Sequence, residues 1–173
     1  MLRRLLRIAV ILVLLVALAG AVLAAIGLAL PASHEATRSA RIDAPPAAIY
    51  PMLLTPEMYP DWRTGVERVD RLDSDRFREH GPHGPMIFRI TTREAPSRVV
   101  TAVDDPDQPF TGTWTFDLVQ EGEQTRVRIT ERGAVPNPLF RSIARLFMSQ
   151  TATLETYLKD IGRRFGQDVA IER

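Results

Sequence analysis

The sequence predicts an α+β domain, an antiparallel sheet with a segregated amphipathic helix, that follows one membrane-spanning helix. Three observations lead to this prediction. Residues 8–30 are apolar throughout and carry no charge. Between residues 65 and 132 apolar and polar residues alternate, which is the period of strands with one solvated face. From residue 138 to residue 165 apolar residues recur at helical spacing. Strands that come as a run, followed by a helix, give the α+β layout.

The apolar run is long enough to be a membrane anchor. A bilayer core about 30 Å thick needs roughly 20 helical residues to span it, and the run has 23. Arg3, Arg4 and Arg7 precede it, and no acidic residue occurs before Glu35. We therefore expect residues 1–7 in the cytoplasm and the domain outside it, on a single-pass protein of the bacterial cytoplasmic (inner) membrane. A cleaved secretory signal is the alternative, although signal cores of about 7–15 residues are shorter.

The charge and cysteine content of the remaining chain exclude several classes of function. After the apolar run there are 19 basic and 21 acidic residues, so the net charge of this part is −2. Nucleic-acid binders concentrate positive charge on one surface, so we expect no nucleic-acid partner. The chain has no cysteine, which excludes disulfides, a thiol nucleophile and thiolate metal sites.

The elements between the anchor and the sheet are short. Pro31 ends the spanning helix because proline cannot donate a backbone hydrogen bond, and residues 31–37 are expected to be a linker. Residues 38–43 can form a first strand. Pro46 and Pro56 then mark the starts of two short helices, because proline suits the first helical turn.

About six strands follow in the region of alternation. In one of them Trp114, Phe116 and Leu118 share a face, and in the next Val127 and Ile129 do so. This pattern is typical of an antiparallel sheet with one face toward the core. The segments assigned to strands are residues 66–69, 76–80, 86–91, 98–104, 112–119 and 125–132.

The last predicted element is one long amphipathic helix. Asn137 is suited to cap it and Pro138 to occupy its first position, while Gly166 is suited to end it. We place the domain at residues 38–166 and a C-terminal tail at 167–173. A curved sheet that closes around such a helix leaves a gap, and that gap is the expected ligand site.

These segments resemble the START-like or SRPBCC superfamily, often called polyketide cyclase/dehydrase proteins. The resemblance implies a helix-grip fold, in which a curved antiparallel sheet surrounds a C-terminal helix and an internal cavity. Members bind lipids, quinones, polyketides or similar molecules, and some are enzymes. The resemblance rests on the order of the segments ARIDAPPAAIY at 40–50, YPDWR at 59–63, GTWTF at 112–116 and TRVRITE at 125–131, and on the closing helix.

Several aromatic residues and one carboxylate are candidates for the cavity wall. Aromatic side chains on the inner faces supply apolar surface to a ligand, although the same residues also form ordinary cores. Tyrosine hydroxyls can orient a polar group of the ligand. The predicted cavity residues are Tyr50, Trp62, Phe88, Trp114, Phe116, Glu131, Phe147 and Tyr157.

Glu131 is the charged residue of greatest interest. By alternation it continues the inner face of Val127 and Ile129, where a carboxylate can act as a general acid or base or bind the polar end of a ligand. The alternative is a position at the rim of the sheet, ion-paired with an arginine such as Arg89 or Arg93.

Other polar features carry less functional information. His80 and His83 are too few for a metal centre, which needs more ligands in a defined geometry, so we expect a loop there, and neither a metal nor a cofactor. No phosphate-binding glycine loop and no nucleophile motif occurs. A row of arginines is either a contact for anionic lipid or a solvated face with ion pairs: Arg89, Arg93, Arg126, Arg128 and Arg132.

The sequence therefore favours a membrane-anchored domain that binds a hydrophobic small molecule, a lipid, quinone or polyketide-like compound. Two alternatives remain open at this point. An enzyme of the cyclase or hydrolase type needs two ionisable groups that converge on the cavity. A ligand-free protein-interaction module would instead have a filled core.

Overall fold

The computed structural model describes residues 2–82, 84–147 and 151–173, without the side chains of residues 2, 146 and 147. The helices are α1 Leu2–Ala29, α2 Pro46–Leu54, a 3₁₀ helix Pro56–Asp61, α3 Pro138–Phe147 and α4 Ala152–Arg164. The strands are β1 Ser33–Ile42, β2 Arg68–Arg71, β3 Arg76–Gly81, β4 Gly84–Glu94, β5 Arg98–Val103, β6 Thr111–Glu121 and β7 Gln124–Ala134.

The strands form one antiparallel sheet in the order β1-β7-β6-β5-β4-β3-β2. Strands β2 to β7 are each hydrogen-bonded to the next in sequence, as expected of strands joined by short turns. β1 joins the sheet at the far edge by pairing with β7. The predicted α+β helix-grip fold is confirmed, with α2 and α4 on the inner face of a curved sheet and an apolar helix in front of it.

The core lies between this inner face and α4. Phe116 of β6 and Ile129 of β7 are neighbours in the register, and both are almost completely buried. Leu154, Leu158 and Ile161 of α4 cover them and are equally buried. Burying one such side chain stabilises the fold by about 1.5–3 kcal/mol, so these contacts hold α4 on the sheet.

The first strand begins earlier than the sequence suggests. We expected a linker over residues 31–37, but β1 starts at Ser33, which pairs with Ala134 at the end of β7. The pairing is unbroken from there to Ile42. The long neighbouring strand supplies hydrogen-bond partners for these residues, and this overrides their weak strand propensity. His34 consequently belongs to the sheet.

The C-terminal residues also belong to the domain. We expected a tail over residues 167–173, but Glu172 and Ser39 exchange two backbone hydrogen bonds of 2.7 and 3.0 Å. The side chains of Val169 and Ile171 pack against the core. The terminal segment thus covers the outer edge of β1, which would otherwise expose unpaired backbone groups.

The predicted closing helix consists of two described helices. Asn137 caps α3 as expected, because its Oδ1 accepts the backbone N–H of Leu139 at 2.9 Å and that of Phe140 at 3.3 Å. Helix α4 begins only at Ala152, and residues 148–150 lie outside the described residues. The two helices have different partners, since α3 packs on α1 and α4 packs on the sheet. Thr151 lies outside both helices, so the described residues do not form one uninterrupted helix over 138–165.

Helix α1 is long and apolar enough to span a membrane, by length and composition. Its C-terminal turns contact α3. Arg141 of α3 donates to the carbonyl oxygens of Gly27 at 2.8 Å and Leu30 at 3.0 Å. Ser142 donates to the carbonyl oxygen of Leu23 at 2.6 Å. The last carbonyls of a helix have no partner within it, so these bonds fix the end of α1 to the domain.

Candidate functional site

A row of aromatic side chains crosses the inner face of the sheet and ends at a carboxylate. Phe77 of β3 is buried and stacks on Phe88 of β4 with ring centroids 5.6 Å apart. Phe88 lies edge-on to Trp114 of β6 at 5.8 Å. Trp114 is directly opposite Glu131 of β7 in the register. The row therefore leads from the core to a partly buried acidic group.

Two ring nitrogens lie within hydrogen-bond distance of the Glu131 carboxylate. Trp114 donates its indole N–H to Oε2 at 3.0 Å, and Nε2 of His34 lies 3.2 Å from Oε1. The side chains of Glu131 and His34 remain 15% and 25% exposed. The prediction placed Glu131 on the inner face or in an arginine pair, and the arginine pair is wrong. A carboxylate in this position, at the edge of the core, can bind a polar ligand group or accept a proton from it.

Two glycines make room for the rings at this end of the sheet. Gly112 and Gly133 are paired across β6 and β7. A Cβ atom on Gly133 would lie 2.5 Å from Cε1 of His34, and one on Gly112 would lie 3.0 Å from Cη2 of Trp114. Both rings thus occupy space that a larger residue would fill. A larger residue at either position would force the neighbouring ring to shift.

Sequence reasoning missed His34 because it was assigned to a linker. The strand pattern from residue 38 could have been extended backwards, since β7 continues to Ala134 and needs a partner along its whole length. The glycines at 112 and 133 are a second signal. A glycine inside a strand often marks a close approach of another group.

A second polar cluster, also missed, lies on the inner face beside α4. Arg63 follows the 3₁₀ helix, and its guanidinium donates to Glu79 of β3 at 2.6 Å. The same guanidinium lies 4.7 Å from the ring centroid of Tyr59 and 4.3 Å from that of Tyr157. Cation–π contacts of this kind stabilise a desolvated guanidinium by about 1–2 kcal/mol each. The ion pair and the two rings together hold a largely buried charge.

The protonation states in this cluster follow from burial and from the neighbouring charges. Burial raises the pKa of the Tyr59 phenol well above its usual range, and it raises that of Tyr157 as well. Burial alone lowers the pKa of a guanidinium, but Tyr157, Glu79 and Tyr59 leave that of Arg63 raised. Both phenols therefore stay protonated, and Arg63 stays charged. The Tyr59 hydroxyl donates to the carbonyl oxygen of Leu53 at 2.8 Å.

Trp62 contributes a buried donor to the same region. Its ring lies edge-on to Tyr157 and to Tyr59, at 5.6 and 5.5 Å. Its indole nitrogen is buried and has no hydrogen-bond partner among the described residues. An unsatisfied buried donor costs about 1–3 kcal/mol. Such a group is a candidate donor to a ligand.

The remaining predicted residues are placed as follows. Phe116 lies under Tyr157 at 4.9 Å, and both belong to the packed core. Tyr50 is buried in α2, with no contact to the other predicted residues among the described hydrogen bonds and ring pairs. The side chain of Phe147 lies outside the described residues. The structure therefore joins Trp62, Phe116 and Tyr157 in one group, and Phe88, Trp114 and Glu131 in another.

Open space lies at the end of the sheet that adjoins α1. A cleft of about 560 Å³ at this end is lined by residues of β1, β5, β6 and β7, among them Ser33, His34 and Gly133, and neither Trp114 nor Glu131 lines it. A second cleft of about 330 Å³ lies between the loop before β6 and α3, and Phe110 and Phe140 line it. Beneath α4, by contrast, the inner face is packed. Trp114 and Glu131, which are both partly exposed and directly paired, lie on the inner face at this same end of the sheet.

The other polar features have local partners. His80 lies 2.7 Å from Asp70, and His83 is outside the described residues. Four of the five arginines in the predicted row form ion pairs with carboxylates, as expected of a solvated face. The pairs are Arg89 with Asp104, Arg93 with Asp75, Arg126 with Glu121 and Arg132 with Glu35.

A family model described as polyketide cyclase/dehydrase and lipid transport matches residues 33–161. The matched segment starts where β1 starts. No curated protein matches the chain.

Solved structures with the same fold include a START superfamily protein and an enzyme. The START superfamily protein, from Mycobacterium smegmatis, is 18% identical with a TM-score of 0.60, covering 76% of this chain and 96% of its own. A protein from Thermus thermophilus is 21% identical with a TM-score of 0.64, covering 76% and 96%. Norcoclaurine synthase from Thalictrum flavum is 12% identical with a TM-score of 0.62, covering 77% and 86%. At these identities the likeness concerns the fold alone.

Proposed function

The chain belongs to the polyketide cyclase/dehydrase and lipid transport family, and on that premise we propose that it is a membrane-anchored binding protein for a hydrophobic small molecule. The ligand is a lipid, an isoprenoid quinone or a polyketide-like compound. It lies on the half-buried inner face of the sheet beside Phe88 and Trp114, with its polar end toward Glu131 and His34.

The observation that carries this proposal is the position of the site relative to α1. His34 follows the end of α1 at Ala29 by five residues. An extended chain spans at most about 3.3–3.6 Å per residue, so this end of the sheet lies within roughly 17 Å of the last turn of α1. A molecule dissolved in the bilayer is thus close to the open end of the grip.

The anchor is proposed to be retained and to cross the bacterial inner membrane once. Arg3, Arg4 and Arg7 keep the N-terminus in the cytoplasm, which leaves the domain on the other side. Arg141 and Ser142 bind backbone carbonyls in the last two turns of α1. These contacts support a helix that stays with the mature protein, because a cleaved signal forms no lasting bonds with its domain.

Binding would draw on burial of apolar surface, with a few polar groups that set the orientation. Removal of apolar area from water contributes about 25 cal/mol per Å². The carboxylate of Glu131 and the imidazole of His34 provide polar groups at the proposed polar end of the site. Few, well-placed polar groups of this kind are typical of small-molecule sites.

The test is native mass spectrometry of the full-length protein, purified in mild detergent, together with organic extraction and identification of the bound compounds. The proposal predicts one apolar species at close to one molecule per chain. A mass equal to the bare chain in preparations from several detergents would overturn it. The cell membranes from the same preparation serve as the reference for enrichment of the compound.

The His34–Glu131 pair favours a second candidate function, an acid–base enzyme on the same site. A carboxylate and an imidazole 3.2 Å apart at the open end can move a proton to or from a ligand. For this case we expect Glu131→Gln to accumulate a bound compound of a different mass from that in the wild type. An identical mass in both proteins favours simple binding.

A further inference from the structure

We propose that α3 is a second membrane contact, an amphipathic helix that packs antiparallel against the last turns of α1 and turns its apolar face toward the acyl region of the bilayer. This inference rests on the proposed membrane anchoring of α1. It concerns a different surface, however, and assigns that surface a lipid bilayer as its partner.

The apolar residues of α3 share one face and are exposed. Leu139, Phe140 and Ile143 are 38%, 47% and 40% exposed. At 100° per residue they lie on one side of the helix, while Arg141 and Arg145 lie on the opposite side. Large apolar side chains grouped on a water-facing surface are unusual in a monomeric domain and mark an interaction site.

The position of α3 along α1 identifies the partner. Ser142 bonds the carbonyl oxygen of Leu23, and Gly27 lies directly against the backbone of Pro138. Leu23 is seven residues before the end of the apolar run at Leu30. At about 1.5 Å per residue this is roughly 10 Å along the axis. Because Pro138 lies beside Gly27 and Ser142 beside Leu23, α3 runs antiparallel to α1 and enters the outer part of the apolar span with it.

The contact with α1 also satisfies polar groups of α3 at this depth, while Arg145 on the polar side of the helix is exposed. The guanidinium of Arg141 donates to the carbonyls of Gly27, Leu30, Val135 and Pro136. Ser142 is 1% exposed, and its hydroxyl is bonded to α1. The polar groups of α3 that face α1 are thus satisfied within the protein, as a helix in lipid requires.

The absence of cysteine in the chain permits a direct test by site-directed spin labelling. Single variants Phe140→Cys and Ile143→Cys of the full-length protein are labelled and reconstituted in vesicles of phosphatidylethanolamine and phosphatidylglycerol. Collision with oxygen, which partitions into lipid, is compared with collision with a water-soluble nickel complex. Leu15→Cys in α1 is the lipid control. Val119→Cys, exposed near the far end of β6, is the matched apolar control in water.

We expect the oxygen-to-nickel ratio at residues 140 and 143 to be several-fold above that at residue 119 and to approach that at residue 15. If the ratio at residue 15 indicates lipid while the ratios at residues 140 and 143 equal that at residue 119, the inference about α3 is wrong, and α1 is still a membrane anchor. If residue 15 itself is accessible to the nickel complex, the anchor fails, and the inference fails with it. An unchanged thermal unfolding midpoint of each labelled protein verifies that the fold is intact.

Discussion

The imidazole of His34 occupies the space above Gly133: a Cβ atom on residue 133 would lie 2.5 Å from its Cε1 atom. The ring reaches Glu131 from this position, at 3.2 Å. The geometry of the proposed polar end of the site therefore depends on Gly133, which lies two residues after Glu131 in β7.

We expect Gly133→Ala to displace His34 and to weaken retention of the bound compound to the same extent as His34→Ala. The reason is steric, because the added methyl group and the ring cannot share one position. The ligand occupancy of both single variants and of the double variant is measured by native mass spectrometry. A double variant that loses much more than either single variant would show that Gly133 acts through something other than His34.

The Arg63–Glu79 pair is expected to matter for stability far more than a surface pair. Arg63→Met leaves Glu79 without its partner at a mostly buried position and should lower the free energy of unfolding by about 3 kcal/mol. Arg132→Met breaks the exposed pair with Glu35 and should cost less than about 1 kcal/mol. Chemical denaturation of the full-length proteins in detergent gives both values. Equal losses in the two variants would contradict the assigned burial of Arg63.

The ion pair between α4 and β1 gives a pH dependence with a definite sign. Arg38 donates to Glu155 at 3.0 Å, and this bond is the first cause that holds the pKa of Glu155 below its usual value of 4.5. A lowered pKa in the folded state stabilises the protein above the unfolded-state pKa. That contribution disappears as the pH falls through the folded value.

Glu155→Gln should therefore show a smaller loss of stability than the wild type as the pH is lowered below about 4.5. The measurement is the free energy of unfolding from pH 7 to pH 3. Glu123→Gln, in the exposed turn between β6 and β7, is the control and should follow the wild type. A wild-type pH profile retained in Glu155→Gln would refute the role of the pair.

Two glycines of α1 provide a matched comparison for the contact with α3. A Cβ atom on Gly27 would collide with the backbone of Pro138, whereas one on Gly20 would meet nothing within 4 Å. Gly27→Ala should loosen α3 and accelerate amide hydrogen exchange over residues 139–145. Gly20→Ala should leave exchange in α3 unchanged. Equal exchange in both variants would mean that α3 does not depend on its contact with α1.

Much of the fold could be predicted because its determinants are local. Alternation in β6 and β7 placed Trp114, Phe116 and Ile129 on the inner face, and Asn137 indicated the start of α3. The length of β1 could not be read from its own residues, because its extension to Ser33 depends on the partner strand β7. His34 was missed for that reason.

The candidate site was predicted less completely than the fold. Glu131 was identified from alternation, but its partners are set by tertiary contacts, and the indole of Trp114 replaces the expected arginine. Arg63 and Glu79 are 16 residues apart in sequence and meet only because β3 passes under the segment after the 3₁₀ helix. A buried ion pair of this kind leaves no periodic signal in the sequence.

The central claim is that the ligand lies against Trp114 at the open end of the grip. The most direct measurement compares native mass spectra of the wild type, Trp114→Ala and Val119→Ala, each full-length and each verified to be folded by its unfolding midpoint. We expect a near-stoichiometric apolar compound in the wild type and in Val119→Ala, and a loss of at least tenfold in Trp114→Ala, about 1.4 kcal/mol of binding free energy. Equal occupancy in Trp114→Ala and Val119→Ala would contradict it, because the compound would then be bound elsewhere on the protein.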